Sequence, residues 1–412
     1  MKFKNVYFGR IVVFAASSIM IVYSITMHSR GIFLTSLVDW FNWNSGDISG
    51  AYSIGFIMMG LLSPISGRLT DKFGPRIIIT FLGLLVGGGL ILMSLVTSII
   101  HVYLIWIFMI GIGGSCCFIP IVSTLTKWFT EKRGLVIGIT FAGFSVGGII
   151  WPPLVERLIA NVGWQSTYIV IGIITLIIIT ALAQLIKQNP QEIGLTPPTV
   201  KVTVESTAQI PKQTTIGLTF TKAIRKAPYW LIWLIRFCSI FVFQLILVHI
   251  FPHAIDIGFS EVTAALIISI ISISTTASRL LTGFIGDRIG HRLTLFLSAT
   301  VLVLSLVGLV YVKELWHFYV FASFFGLAWG GAGVTQVALI AEFFESRSLG
   351  AIMGSLEIAL AFGGGIGVFI GGIIFDTTGN YNMAFVICII QAILVIISSL
   401  ILMRYKHKKA VS

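Results

Sequence analysis

One arginine stands deep inside an apolar stretch of this chain. The stretch 269–292 predicts a membrane-spanning helix that carries Arg279 well within its apolar run and is followed by a short basic loop. An arginine at the centre of a membrane helix costs about 2.5–3.5 kcal/mol on insertion scales, so it needs a partner and is a candidate functional residue. We expect Arg279 to bind the carboxylate of a small organic anion. An interhelical salt bridge is the structural alternative.

Small residues accompany Arg279 at helical spacing. Ser269, Ser272, Thr276 and Gly283 recur with it every three or four residues. All five therefore lie on one face of the predicted helix. A polar stripe that ends in a cation indicates a face turned toward a water-filled cavity and away from lipid.

A histidine and a second arginine lie in the first apolar segment. His28 could bind an anion when protonated, because histidine titrates near neutral pH, or it could be a neutral, hydrogen-bonded residue of a helix bundle. Arg30 lies nearer the outer end of the segment. We expect its long side chain to extend to the membrane interface.

Glu357 is an acid well inside a later apolar segment, at a predicted depth similar to that of Arg279. The two could pair when no substrate is bound. Two unit charges about 4 Å apart interact by about 4 kcal/mol at an effective dielectric constant near 20. Protonation of Glu357 would then free the arginine for a substrate carboxylate. A purely structural acid is the alternative.

Three further polar side chains share one face at the outer end of another segment. His249, His253 and Asp256 stand at positions i, i+4 and i+7, beside Pro252. The spacing permits a metal site, but three ligands alone indicate one only weakly, and we expect none. A proton-sensing outer gate and ordinary interfacial hydrogen bonding are the other interpretations.

These residues are embedded in a strongly apolar chain. Hydrophobic residues make up 57% of it and charged residues 10%, and the mean hydropathy is +1.01, which excludes an ordinary soluble domain. Each apolar segment is long enough to cross about 30 Å of hydrocarbon. The first is too long for a signal peptide and lacks a small-residue cleavage site, so we expect it to be retained. Twelve spans are predicted at 9–36, 48–69, 76–97, 101–126, 134–158, 166–186, 228–252, 261–285, 291–312, 316–342, 349–374 and 381–403.

The charges follow the predicted topology. Most of the 27 basic residues fall in the breaks that share a side with both termini, so the positive-inside rule predicts cytoplasmic termini in the cell membrane. The net charge of +12 is thus a topology signal, and we expect no nucleic-acid partner. The four cysteines lie inside predicted spans and form neither a disulfide framework nor a metal motif.

The one long polar break separates two halves with a repeated motif. Residues 187–227 contain four prolines and predict a cytoplasmic linker between six-span bundles at 1–186 and 228–412. Six-span repeats with a site near the midplane between them are a known transporter design. The repeated motif residues are Gly67, Asp71 and Arg76 in the first half and Gly283, Asp287 and Arg292 in the second.

The repeat resembles the signature loop of the major facilitator superfamily, whose pattern is G-x-x-x-D-[KR]-x-G-x-R. Four stretches further resemble the monocarboxylate transporter family and its bacterial relatives, including oxalate/formate exchangers. They are Trp128-Phe129 to Gly134, VHIFPHAIDIGFS, SRLLTGFIGDRIGHR and GGIIFDTTGNYNMAF.

The resemblance implies an all-α membrane protein with twelve transmembrane helices in two six-helix bundles. It implies secondary transport of a short monocarboxylate of lactate or pyruvate type by alternating access, with proton symport and a functional monomer. Anion exchange of oxalate/formate type is an alternative, and a membrane sensor that does not transport is an alternative of another class. No nucleotide loop, zinc motif or nucleophile elbow occurs in the sequence, so we expect neither an enzyme nor a cofactor.

The resemblance also assigns roles to residues. In this fold Asp71 would lie near the start of the eleventh span, around Gly350, where a helix N-terminus favours an anion, and would act as an inner gate. His28 matches a position where family members carry a lysine implicated in proton and substrate binding, and Phe118 matches a position that lines the site of bacterial relatives. Thr275 stands where animal members have an aspartate implicated in proton coupling, so symport would need another titrating group. The proton-coupling candidates are His28, Glu357 and His249, and further substrate-binding candidates are Trp329, Gln244 and Gln336.

Overall fold

The computed structural model describes residues 2–129, 133–190, 220–344 and 349–405. Every regular element in these ranges is helical. The first half contains α1 (Lys2–Tyr23), α2 (Ile25–His28), α3 (Arg30–Phe41), α4 (Ser45–Phe73), α5 (Pro75–Met93), α6 (Ile99–Leu104), a π-helix (Ile105–Gly111), α7 (Ile112–Ser115), α8 (Phe118–Trp128) and α9 (Arg133–Ala183). The second contains α10 (Phe220–Ala223), α11 (Ala227–Asp256), α12 (Glu261–Ile289), α13 (His291–Val310), α14 (Leu315–Phe343), α15 (Leu349–Thr378) and α16 (Asn382–Arg404).

The described ranges contain eleven segments that are long and apolar enough to cross a membrane. One of them, Leu135–Ala183, has 49 residues. As a continuous helix it would measure about 74 Å, more than twice the thickness of the hydrocarbon core. Its backbone breaks at Gly163, where φ is 79°, a conformation that glycine adopts without strain. The segment therefore makes two crossings, and the predicted twelve are confirmed.

Two crossings are interrupted. The first consists of α1, α2 and α3, with breaks at Ser24 and Ser29, and the Ser24 hydroxyl donates a hydrogen bond back to the carbonyl of Ile21 at 2.8 Å. Such back-bonding bends membrane helices. The fourth crossing contains the π-helix, a form that occurs frequently at functional sites. These irregular turns place His28, Arg30 and Trp106 in the interior.

α4 and α15 converge at one end of the protein. The carboxylate of Asp376, near the end of α15, accepts hydrogen bonds from the backbone N–H groups of Ser45 and Gly46 at the start of α4. Farther along, Gly60 packs so closely against Ala361 that a Cβ would overlap with that side chain. We call this end of the molecule the Asp376 end.

The opposite end of α4 carries Asp71. Asp71 is 68% exposed and pairs with Lys127 of α8 at 3.1 Å, within the same half. We call this the Asp71 end. Among the packed helix pairs, α9 contacts α1, α5 and α12, whereas α15 contacts α4 and α11. These contacts decide which polar side chains can meet.

Candidate functional site

Arg279 projects from α12 toward α9. Its Nη1 donates a hydrogen bond to the hydroxyl of Ser145 at 2.9 Å, and the side chain remains partly exposed. Almost three turns earlier on α12, the Ser269 hydroxyl donates to the carbonyl of Ile149 at 2.9 Å. Both side chains of this polar face thus contact α9, and the water-filled cavity expected beside it stays a prediction. Among the ion pairs of the described residues, none includes Arg279.

His28 lies next to the contact between α9 and α12. Its Nδ1 is 3.1 Å from the carbonyl oxygen of Ser24, and its ring centroid is 5.0 Å from that of Phe144. A Cβ added to Gly148 of α9 would come within 2.6 Å of His28 Nε2 and would overlap with Ser272 of α12. Gly148 is one turn from Ser145. The α9–α12 junction therefore brings His28 and Arg279 into one region, as the site prediction requires.

Aromatic rings pack next to His28. The ring of Phe118 lies 5.7 Å from Phe144 and 5.9 Å from Tyr23, between centroids. Phe118 is partly exposed, so it can present its ring to a bound apolar group. In the second half, Trp329 stacks on Phe243 with centroids 4.0 Å apart and is also partly exposed.

The two candidate glutamines differ in position. Gln336 of α14 donates to the hydroxyl of Ser239 on α11 at 3.1 Å, a bond within the second half that joins two of its helices. Gln244 of α11 reaches the first crossing, where its Nε2 is 3.9 Å from the sulfur of Met27. Met27 directly precedes His28, so Gln244 contacts a neighbour of that candidate residue, whereas Gln336 bonds within the second half.

The expected pairing of Glu357 with Arg279 is wrong for this conformation. The Oε1 of Glu357 accepts a hydrogen bond from Arg236 Nη2 at 2.8 Å. The physical reason is helix packing: α15 lies against α11, which carries Arg236, whereas α12 lies against α9. Similar depth along two helices does not make them neighbours. The sequence shows Arg236 within the predicted seventh span, but nothing in the sequence identifies Glu357 as its partner.

The expectation for Arg30 is also wrong. Its side chain is only 3% exposed and does not extend to the interface. Side chains in a helix lean toward its N-terminus, and Arg30 is the first residue of α3, so the guanidinium folds back over α2. Its Nε donates to the carbonyl of Thr26 at 2.7 Å.

The histidines of α11 make packing contacts. His249 is fully buried, and its Nε2 lies 2.9 Å from the carbonyl oxygen of Val368 on α15. The ring of His253 is 4.8 Å from that of Phe385, in an edge-to-face arrangement. Within the described ranges, no three His, Cys, Asp or Glu side chains are grouped so as to hold a metal. Hydrogen bonding within the bundle is the role that this geometry supports for His249.

The repeated motif makes contacts within each half. Arg76 donates to Gln184, which directly follows α9, Gly67 packs against Ile119 of α8, and Arg292 donates to Glu342 of α14 at 2.7 Å. The side chain of Asp287 and the surroundings of Gly283 and Gly350 lie outside the described part of the structure. The contact expected between Asp71 and the region of Gly350 stays a prediction.

The chain is similar to several curated transporters. It is 24% identical to monocarboxylate transporter 13 of Rattus norvegicus, covering 88% of this chain and 81% of that one. It is 23% identical to the oxalate:formate antiporter of Oxalobacter formigenes, covering 91% and 86%, and 29% identical to the agnestins efflux protein AgnL12 of Paecilomyces divaricatus, covering 86% and 78%.

A solved structure has the same fold. It is a bacterial homologue of the human lysosomal transporter Spinster in an inward-facing and occupied conformation, and it superposes with a TM-score of 0.72 at 15% identity, covering 97% of this chain and 98% of that one. The unoccupied inward-facing form gives a TM-score of 0.66. The sequence profile of the Major Facilitator Superfamily matches residues 7–335 and 254–412. With twelve helical crossings and this match over most of its length, the chain belongs to the Major Facilitator Superfamily.

Proposed function

We propose that this transporter carries short monocarboxylates of lactate or pyruvate type by proton-coupled symport and binds them at Arg279. The observation that carries the proposal is the guanidinium of Arg279, a residue of intermediate exposure, whose hydrogen-bond partner among the described residues is the neutral hydroxyl of Ser145. A carboxylate can accept two parallel, charge-assisted bonds from a guanidinium, which a hydroxyl cannot. A substrate would therefore displace or supplement Ser145.

The surroundings of Arg279 suit a small amphipathic anion. His28 and Phe118 lie toward α1 and α2, and Phe144 lies between them. In our proposal Phe118 and Trp329 contact the apolar part of the substrate, and Gln244 offers a polar group from α11. Gln336 already bonds Ser239, so its role would be to hold α14 and α11 in place.

The proton would bind at His28. The ring lies at the α9–α12 junction, and protonation would add a second positive charge near an anion held by Arg279. Glu357 pairs with Arg236 in the second half. In this conformation a substrate carboxylate would therefore not compete with Glu357 for Arg279. His249 bonds to the backbone of α15, which favours a packing role over proton coupling.

Alternating access would move the two proposed halves, 1–186 and 228–412, about this site. We propose that the Asp376 end is extracellular and that the Asp71 end, with both termini, faces the cytoplasm of the cell. The basic residues of the predicted cytoplasmic breaks support this orientation. The structure would then be inward-facing, in keeping with its likeness to an inward-facing relative. Linker 187–227 would join the halves, and one chain would suffice for transport.

Exchange of organic anions without net proton movement is the second candidate. Thr275 stands where the resemblance places a proton-coupling aspartate in animal members, and a threonine cannot carry a proton in its place. The similarity to a protein named an oxalate:formate antiporter agrees with this candidate.

Uptake of labelled lactate into proteoliposomes tests these proposals. We expect uptake driven by an inward proton gradient in the wild-type protein and its loss in Arg279→Ala. Arg157→Ala, which removes an exposed arginine of α9, is the matched control and should transport normally. Uptake that ignores the gradient but needs internal anion would favour exchange. Wild-type uptake by Arg279→Ala would refute the site, and lactate binding without uptake would indicate a sensor.

A further inference from the structure

Arg30 carries a buried charge without a carboxylate partner in the described structure. The ion pairs recorded there involve other arginines and lysines. Two of the guanidinium nitrogens have weak or neutral acceptors: Nε bonds the carbonyl of Thr26 at 2.7 Å, and Nη2 lies 2.9 Å from the sulfur of Met27. The third, Nη1, is buried and has no acceptor among the described residues. An uncompensated buried cation is strongly unfavourable, so this arrangement calls for an anion.

Aromatic rings surround the guanidinium. The Cζ atom of Arg30 is 5.0 Å from the ring centroid of Trp106, 5.6 Å from that of Phe56 and 6.0 Å from that of Tyr52. Cation–π attraction offsets part of the desolvation of the charge. It does not supply the hydrogen-bond acceptor that Nη1 lacks.

A second donor beside Arg30 is in the same situation. Trp106, in the first turn of the π-helix, is 3% exposed, and its Nε1–H also has no acceptor in the described part of the chain. Guanidinium and indole groups only donate hydrogen bonds, so they cannot satisfy each other. One small acceptor placed between them would satisfy both. The buried hydroxyl of Tyr52, whose ring lies beside both groups, likewise has no hydrogen-bond partner among the described residues, so it does not serve as that acceptor here.

We propose that Arg30 and Trp106 form a second anion-binding site, separate from Arg279, which takes a small monovalent anion such as chloride or a carboxylate. We expect a compact anion, because three aromatic ring centroids already lie within 6.0 Å of the Arg30 Cζ atom. The site lies toward the Asp376 end, since Tyr52 and Phe56 stand in the half of α4 nearer to Ser45. It does not depend on which substrate the protein transports.

Thermal unfolding of the purified full-length protein tests the site. Chloride or formate would replace gluconate at constant ionic strength, because gluconate is too large for the site. A ligand that binds the native state raises the unfolding temperature in a saturable way. We expect a rise of roughly 1–2 °C at ten times the half-saturating concentration. Arg279→Gln should keep the response to chloride, whereas Arg30→Gln should lose it.

If Arg30→Gln does not fold, a milder variant still tests the proposal. Trp106→Phe keeps an aromatic face over the guanidinium and removes only the Nε1–H, so the half-saturating concentration should rise about tenfold. Trp164→Phe is the matched control, since Trp164 is also buried and its Nε1 likewise has no acceptor in the described ranges. It should respond as the wild type does.

Each result of the unfolding experiment either supports or overturns the proposed anion site. Stabilisation by both anions would indicate a general anion site, and stabilisation by formate alone a carboxylate site; either supports the proposal. An absent saturable response in the wild type would overturn it. So would an unchanged response in Arg30→Gln and Trp106→Phe, or a response that only Arg279→Gln removes. The last result would leave the transport proposal intact, so the two can fail independently.

Discussion

The carboxylate of Asp376 accepts a hydrogen bond from the backbone N–H of Gly46 at 2.6 Å, across the junction of α15 and α4. Its other oxygen accepts from the N–H of Ser45 at 2.9 Å. The first N–H groups of a helix have no partner within it, and the helix dipole favours an anion there. One side chain thus satisfies two free donors and fastens two crossings that alternating access would separate.

Asp376→Asn should weaken the contact between the end of α15 and the start of α4. An amide keeps the shape of the carboxylate but removes the charge that the start of α4 favours, which is worth up to about 2 kcal/mol when partly buried. We expect hydrogen exchange of the Ser45 and Gly46 amides to accelerate by about 5–30-fold in mass spectrometry. Asp47→Asn is the control, because Asp47 bonds only locally, to Asn44. Equal exchange in both variants would show that Asp376 does not hold the junction.

The Arg236–Glu357 pair should matter for stability more than for coupling. Glu357 is 41% exposed and Arg236 only 7%, so removing the acid leaves a buried cation whose former partner was half in solvent. We expect Glu357→Gln to lower the free energy of unfolding by about 1–2 kcal/mol.

Net uptake and exchange should fall equally in Glu357→Gln, measured in the same proteoliposomes. A specific loss of proton-driven uptake, with exchange preserved, would instead support the coupling role that the sequence suggested. Arg236→Met combined with Glu357→Leu should be less unstable than the sum of the single changes, because neither charge is left unpaired.

His28→Gln should flatten the pH dependence of uptake. If the protonated ring helps to hold the anion, wild-type uptake at fixed lactate rises as the pH falls through the range in which the ring takes up its proton. Glutamine keeps hydrogen bonding but cannot take up the proton. His101→Gln, at an exposed position in α6, provides the control. A pH profile like that of the wild type would exclude His28 from proton coupling.

Gly148→Ala should disturb the site without changing a charge. The added methyl group would lie 2.6 Å from His28 Nε2, so the ring or α12 must shift. Misplacement of a binding group by about 1 Å can reduce rates about 100-fold. We expect lactate uptake to fall at least tenfold while the protein stays folded. Gly138→Ala, where a Cβ meets no atom within 4 Å, should transport normally. Similar uptake by both variants would contradict the close packing at this junction.

The features that the sequence predicted well depend on spacing along one helix. The crossings follow from apolar length, and the break at Gly163 falls between the predicted spans 134–158 and 166–186. The polar face around Arg279 follows from three- and four-residue spacing. Which face meets which neighbour depends on helix packing, and therefore Glu357 was assigned the wrong arginine. Arg30 was misplaced because its side chain turns back at a helix break that no proline marks. Asp376 lies within one of the stretches that resemble the monocarboxylate family, but its contact joins positions far apart in the chain.

The close contacts toward the Asp376 end also bear on how fast the protein could cycle. At Gly31 the opposing helix contributes the carbonyl of Val248 and the Cβ of Phe251, and at Gly60 it contributes Ala361. Glycine and alanine have no side-chain rotamers, so little side-chain entropy would change at Gly60 at each turnover. On the same pair of helices, however, the side chains of Phe56 and Ile57 pack against Gly364 and Gly365. These larger side chains, more than the glycines, would determine how much side-chain freedom changes when the helices part.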